Sequence, residues 1–143
     1  MLDLTIEFKK MGIKRQAPVE ISQQNVPVKI QVVKVSFQSN TLKVTLENQT
    51  QKNITLPTIN LTCYAVTEGG NEVGYNIIWV NNLGYLQTKT YSRKVNISYE
   101  RIKIVGYINI DEIRNVGLKS KIQETNDYGE TVIPVLKTGI IRL

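Results

Sequence analysis

The stretch RIKIVGYINI, residues 101–110, decides the fold class of this chain. It places an isoleucine or a glycine at every second position, which are Ile102, Ile104, Gly106, Ile108 and Ile110. Successive side chains of a β-strand point to opposite faces of the sheet, so this period of two predicts a strand with one buried face.

Further strands are predicted on both sides of this stretch. Residues 42–46 (LKVTL) and 59–65 (INLTCYA) alternate in the same way. In residues 28–37 the apolar phase changes between Val32 and Val33, which predicts either a β-bulge or a strand that changes sheets. Strands recur about every ten residues, the spacing of a β-sandwich. The turn-forming sequences between them lie at 38–40, 68–71, 81–84 and 126–129. We therefore expect an all-β fold, an immunoglobulin-like antiparallel β-sandwich of about seven to nine strands with flanking terminal strands.

The chain divides into three segments by pattern. Residues 1–25 begin with an alternating run, Leu2, Leu4, Ile6 and Phe8, and are interpreted as an N-terminal strand or arm and a linker. Residues 26–110 hold the dense strand signals and are predicted to form the sandwich. Residues 111–143 are predicted to form a C-terminal hairpin and extension, with one helical turn at 111–116.

The composition argues against catalysis. The chain has no histidine and one cysteine, Cys63, which removes His-activated nucleophiles, most catalytic zinc sites and any internal disulfide. It contains no glycine-rich phosphate loop. Asp111 and Glu112 are adjacent, and because neighbours on a strand point to opposite faces they are poorly placed to act as a catalytic acid/base pair. The sequence does not exclude such a pair formed by carboxylates on two different strands. We expect a protein that is not an enzyme and that binds no cofactor and no metal.

Four Asn-X-Ser/Thr sequons occur in the chain, and each has two interpretations. They are candidates for N-glycosylation on an exposed surface, or they are chance triplets in an Asn- and Thr-rich sequence. The asparagines concerned are Asn48, Asn53, Asn60 and Asn96.

For the tryptophan, the cysteine and the tyrosines, the sequence allows either a structural or a functional role. Trp79 lies in the most apolar segment, 73–80, and is predicted to be a core residue rather than a ligand contact. Cys63 is in phase with Ile59 and Leu61, which predicts a buried and inert thiol. The seven tyrosines suit either an interface or the edges of a sandwich.

A basic cluster lies near the N-terminus, at Lys9, Lys10, Lys14 and Arg15, in a chain with a net charge of +6. Such a cluster can neutralise the phosphates of a nucleic acid. Alternatively it is a solvated loop, since no aromatic residues are interleaved with it.

Residues 34–110 carry a series of features that occur in a known family. They are the polar turn Leu46-Glu47-Asn48-Gln49-Thr50, the strand with Tyr64, the hairpin residues Gly70, Asn71, Val73 and Gly74, and Leu83 with Thr88 downstream. In these features the chain resembles FxLYD-type immunoglobulin-like domains and, more distantly, the water-stress domain of late-embryogenesis-abundant proteins. It has Tyr64-Ala65 where the family has Tyr-Asp, and its hairpin is longer. The resemblance implies a structural or interaction module without catalytic residues.

The sequence thus favours a structural or assembly subunit of a virion, a capsid or another repeating assembly. Such a subunit would contact other protein subunits, as a homo- or hetero-oligomer, through its sandwich and its terminal arms. The alternative is a monomeric module that binds an anionic partner such as nucleic acid through the basic cluster. No run approaches the length of a transmembrane helix, and MLDLTIEFKKMGIKRQ lacks the pattern of a secretory signal. We expect a protein without a membrane span that stays in the cytoplasm or is assembled into a virion.

Overall fold

A computed structural model of the protein describes residues 27–50 and 53–143, and within them nine strands and one short helix. The elements are β1 (Ile30–Gln38), β2 (Thr41–Asn48), β3 (Ile59–Val66), β4 (Glu72–Val80), β5 (Thr88–Lys94), β6 (Arg101–Asn109), α1 (Ile110–Asn115), β7 (Glu124–Thr125), β8 (Thr131–Lys137) and β9 (Ile141–Arg142). The N-terminal segment 1–25 and its basic cluster lie outside the described residues.

The strands form two antiparallel sheets. The first has the order β1-β2-β5, and the second has the order β4-β3-β6-β8-β7, with β9 pairing to one end of β6. The chain crosses from the first sheet to the second between β2 and β3, returns at β5 and crosses again to β6. The predicted all-β antiparallel sandwich is confirmed.

The core lies between the two sheets and is built from the alternating positions. Leu42, Val44 and Leu46 of β2 face the inner side chains of β3 and β6, and all of them are buried. Gly106 fits this pattern because a Cβ there would lie only 3.2 Å from Leu136 Cβ and from Leu61 Cδ2. The glycine therefore lets the side chains of β3 and β8 meet across β6.

The first hairpin confirms the predicted phase change. The register of β1 against β2 shifts between Val32 and Lys34, so Val33 bulges outward and is exposed. The connecting turn places Ser39 and Asn40 at φ values of 53° and 59°. Two positive φ angles match the right-handed twist of a two-residue hairpin.

The segment 111–143, expected to be a hairpin outside the sandwich, contributes β8 to the second sheet beside β6. Its alternation is weak because Val132 to Leu136 are buried without interruption, so the sequence shows no polar phase. The helical turn is confirmed as α1, which Asn109 caps by accepting a hydrogen bond from Asp111 N, and which buries Ile113. The sandwich of the described chain thus extends past residue 110.

Candidate interaction surface

The outer face of the first sheet is polar, as expected for the solvent side of an antiparallel sheet. Exposed or half-buried Thr, Ser, Gln and Lys side chains occupy it, and Thr45 and Thr90 share a hydrogen bond of 2.8 Å between their hydroxyls. Three lysines lie on a diagonal across it: Lys43 on β2, Lys34 opposite Thr45 on β1, and Lys94 opposite Thr41 on β5. No sequence pattern indicates this diagonal, because it depends on the register of three strands.

The outer face of the second sheet is apolar and aromatic along β4, although Asn60 and Thr62 of β3 and Lys103 of β6 also lie on it. We call it the aromatic face and define it by its six large side chains. They are Val73, Tyr75, Ile77 and Trp79 of β4, Tyr64 of β3 and Tyr107 of β6. Val73, Tyr75 and Trp79 are 66%, 60% and 56% exposed, so more than half of each side chain meets solvent. Neighbouring exposed residues of this kind mark an interaction site more often than a bare surface.

The prediction of Trp79 as a core residue is wrong. Ile78 and Val80 take the inward positions of β4, paired with Leu61 and Ile59, and they are buried. Side chains of a strand alternate, so Trp79 must point outward. The segment 73–80 is apolar on both faces, and its period therefore could not show which face is inside.

Charged side chains of both signs lie beside the tyrosines of the aromatic face, with Lys103 of β6 opposite Tyr64 and carboxylates near Tyr64 and Tyr107. The rings of Tyr64 and Tyr75 lie 5.9 Å apart between centroids. Burial raises the pKa of Tyr64, and the nearby charges of Glu72 and Asp127 raise it further. Burial, followed by the Glu124 carboxylate beside it, raises the pKa of Tyr107 to about 12.

The free edge of β4 borders this face. No strand of residues 27–50 or 53–143 pairs with that edge. Two inward-facing side chains of β5 reach it instead: the Arg93 guanidinium donates to Ile77 O, and the Tyr91 hydroxyl donates to Asn81 O at 3.4 Å. The edge is thus occupied by side chains rather than by backbone.

The four sequon asparagines occupy different environments. Asn48 is fully buried: its Nδ2 donates to Ile54 O at 2.7 Å and to Leu83 O at 3.0 Å, while its Oδ1 accepts from Thr50 N at 2.9 Å. A glycan on that nitrogen is incompatible with the folded chain. Asn53 and Asn96 are exposed, and Asn60 is half-buried on β3 between Trp79 and Tyr107.

Cys63 lies in the core, as predicted. Its side chain has no exposed surface, and burial raises the pKa of the thiol to about 12. The thiolate is the reactive form of cysteine, so a thiol in this environment is inert at neutral pH.

Acidic side chains meet in one shallow depression, between Asn109, Arg114 and Thr131. Asp111 and Glu130 line it, but Asp111 pairs with Arg114 at 3.7 Å and Glu130 accepts from Asn126 at 3.0 Å. Both carboxylates are therefore already engaged by local partners. Among the described residues no group of three His, Cys, Asp or Glu side chains could hold a metal ion.

Comparison of the chain with protein-family models, curated proteins and solved structures gives no match. The resemblance to FxLYD-type domains stays a prediction. Within the described part of the chain, no helix has the length and apolarity that crossing a membrane requires.

Proposed function

We propose that this protein is a non-enzymatic assembly subunit that joins other protein subunits through its aromatic face. The assembly we favour is a repeating one such as a virion or capsid. The observation that carries the proposal is the exposure of Tyr75, Trp79 and Val73 side by side on one sheet, opposite a polar sheet. Tyrosine and tryptophan supply much of the binding energy of protein interfaces because they bury a large apolar ring and keep a polar group.

The charges around the aromatic face favour a protein partner over a polyanion. Glu72, Glu124 and Asp127 act on its tyrosines and outnumber the lysines of this face, Lys103 opposite Tyr64 and Lys137 on β8, so the negative phosphates of a nucleic acid gain little there. A protein partner can offer apolar side chains to the rings and basic side chains to the carboxylates.

Light scattering of the purified full chain across a range of concentrations tests this proposal. We expect an oligomer whose association constant falls about tenfold or more in Tyr75→Ser and in Trp79→Ser, since truncation of an aromatic anchor costs about 2 kcal/mol. Tyr128→Ser is the matched control, because Tyr128 is 89% exposed on the turn before β8. A wild-type chain that stays monomeric, or an oligomer that none of these changes weakens, would contradict the proposal.

A second candidate function is binding of an anionic partner, which the lysine diagonal favours. Lys34, Lys43 and Lys94 are exposed, and diagonal neighbours of this kind lie about 7 Å apart, within the reach of successive phosphates. The basic cluster at Lys9, Lys10, Lys14 and Arg15 would add to the same charge.

Titration with a single-stranded oligonucleotide at two salt concentrations tests the second candidate. We expect affinity to fall steeply with salt and to drop several-fold in Lys43→Ser, because each phosphate contact releases a counterion. Lys119→Ser, which removes an exposed lysine of the loop after α1, should have little effect. Binding that is absent or insensitive to salt excludes this function.

A further inference from the structure

The free edge of β4 is regular over most of its length. Its pairing with β3 runs without a shift from Gly74 to Val80 and is irregular only at its start, between Gly74 and Glu72. Of the two edge strands of the first sheet, β1 carries the bulge between Val32 and Lys34, and β5 is unshifted but belongs to the polar sheet. A bulge twists an edge away from a partner strand, and a regular edge invites one.

The backbone groups on this edge belong to the residues of the aromatic face. Ile77 O accepts the Arg93 guanidinium from outside the sheet, so the amide and carbonyl of Ile77 point away from β3. The N–H and C=O groups of one residue in an antiparallel ladder point the same way, and they alternate along the strand. Tyr75 and Trp79, within the unshifted part of the strand, therefore also present backbone groups to the free edge.

The N-terminal segment matches this edge in length and period. Leu2, Leu4, Ile6 and Phe8 form four apolar positions over seven residues, as do Val73, Tyr75, Ile77 and Trp79. Each run extends about 20 Å as a strand. A strand that placed its leucines, isoleucine and phenylalanine beside the aromatic face would turn Asp3, Thr5 and Glu7 toward β5.

The charge on that inner side is complementary. Arg93 reaches the edge of β4 from β5, and Lys89 points to the same side further along β5. One of Asp3 and Glu7 of an added strand would meet the Arg93 guanidinium once it releases Ile77 O, and the other, about 13 Å along the strand, would lie on the side of Lys89. Backbone hydrogen bonds of the added strand would then replace the one that Arg93 gives up.

We infer that residues 2–8 of a neighbouring copy add to the free edge of β4 as an antiparallel strand. Residues 9–26 can extend about 60 Å, far enough for the segment to leave its own sandwich. The inference rests on the proposed assembly function, for which it names a second copy of this chain as the partner and β4 as the site. Chains joined in this way, edge to arm, form a ring or an open array.

Exchange of charges between two full-length variants tests the inference. In Asp3→Lys/Glu7→Lys the arm is basic and the edge is unchanged, and in Arg93→Glu the edge is acidic and the arm is unchanged. Each variant alone should associate at least tenfold more weakly than the wild type. An equimolar mixture should recover association to within about threefold, because both arm-to-edge contacts in it are between opposite charges.

Two readouts and two controls accompany the mixture. Light scattering reports the size, and the emission of Trp79 should shift to shorter wavelength, since it is the only tryptophan of the chain and lies on the aromatic face. Glu112→Lys alone should associate like the wild type, because Glu112 belongs to α1 and takes no part in the contact. Arg93→Gln, which removes the charge without reversing it, should weaken association less, and thermal melting checks that each variant is folded.

The outcomes separate this inference from the proposed function. A wild-type oligomer that depends on Tyr75 and Trp79 but ignores these charges would overturn the inference and leave the function standing. Recovery only when all three substitutions share one chain would show that a chain binds its own arm, which also overturns the inference. A wild type without any self-association removes the proposed function itself.

Discussion

Replacement of Asn48 by alanine is expected to lower the free energy of unfolding by about 3 kcal/mol. The side chain of Asn48 holds three separate backbone groups, Ile54 O, Leu83 O and Thr50 N, around a site with no exposed surface. Alanine leaves these groups without their partner, and each buried polar group that loses a hydrogen bond costs about 1–3 kcal/mol. Partial entry of water keeps the total below the sum.

Urea denaturation of Asn48→Ala, Asn48→Asp and Asn96→Ala measures this effect. Asn48→Asp should be at least as damaging as alanine, since a carboxylate would face two carbonyl oxygens. Asn96→Ala is the control at another sequon, and its exposed side chain predicts a change within about 0.5 kcal/mol. A loss below about 1 kcal/mol for Asn48→Ala would show that the three hydrogen bonds are dispensable.

Tyr99→Ala is expected to be the other strongly destabilising change, at about 4 kcal/mol. Tyr99 is 2% exposed, immediately before β6, and its ring meets that of Phe37 edge-on at 5.7 Å between centroids. Its hydroxyl donates to Cys63 O at 2.7 Å and accepts from Asn76 Nδ2 at 3.3 Å. One side chain thus ties β1 of the first sheet to β3 and β4 of the second.

Tyr99→Phe separates the two parts of this contribution. It keeps the ring and removes the hydroxyl, so we expect a loss of about 1.5 kcal/mol, with the remainder of the alanine effect due to packing. Tyr128→Ala serves as the exposed control and should change stability by less than about 0.5 kcal/mol. Equal melting of Tyr99→Phe and the wild type would mean that the hydroxyl bonds contribute nothing.

The parts of the fold that the sequence predicted are those in which one face is apolar and the other is polar. Ile59, Leu61 and Cys63 alternate with polar residues and are buried as predicted, and β6 behaves in the same way. The change of phase at Val32 and Val33 likewise predicted a bulge or a change of sheet, and the structure has the bulge. Burial of one face leaves a period of two, and that period can be read without knowing the partner strand.

The prediction was incomplete where both faces of a strand are apolar. In β4 the residues on either side of Trp79 are apolar, and in β8 Val132 to Leu136 are all buried, so neither strand shows which phase is inside. The candidate surface was missed for that reason, because it consists of the outward phase of β4. The sequence left Asn48 open between a glycosylation site and a chance triplet, because the triplet Asn48-Gln49-Thr50 does not show that the asparagine side chain is buried and hydrogen-bonded.

The side chains that occupy the edge of β4 have a consequence for how the chain behaves before it meets a partner. An uncovered edge would let molecules stack strand to strand into insoluble fibres wherever the protein becomes concentrated. Arg93 and Tyr91 oppose the pairing of another strand with this edge, because an incoming strand must first displace their side chains. A strand without acidic residues would also bury the Arg93 charge unpaired. The covered edge therefore disfavours pairing with strands that lack a carboxylate opposite Arg93.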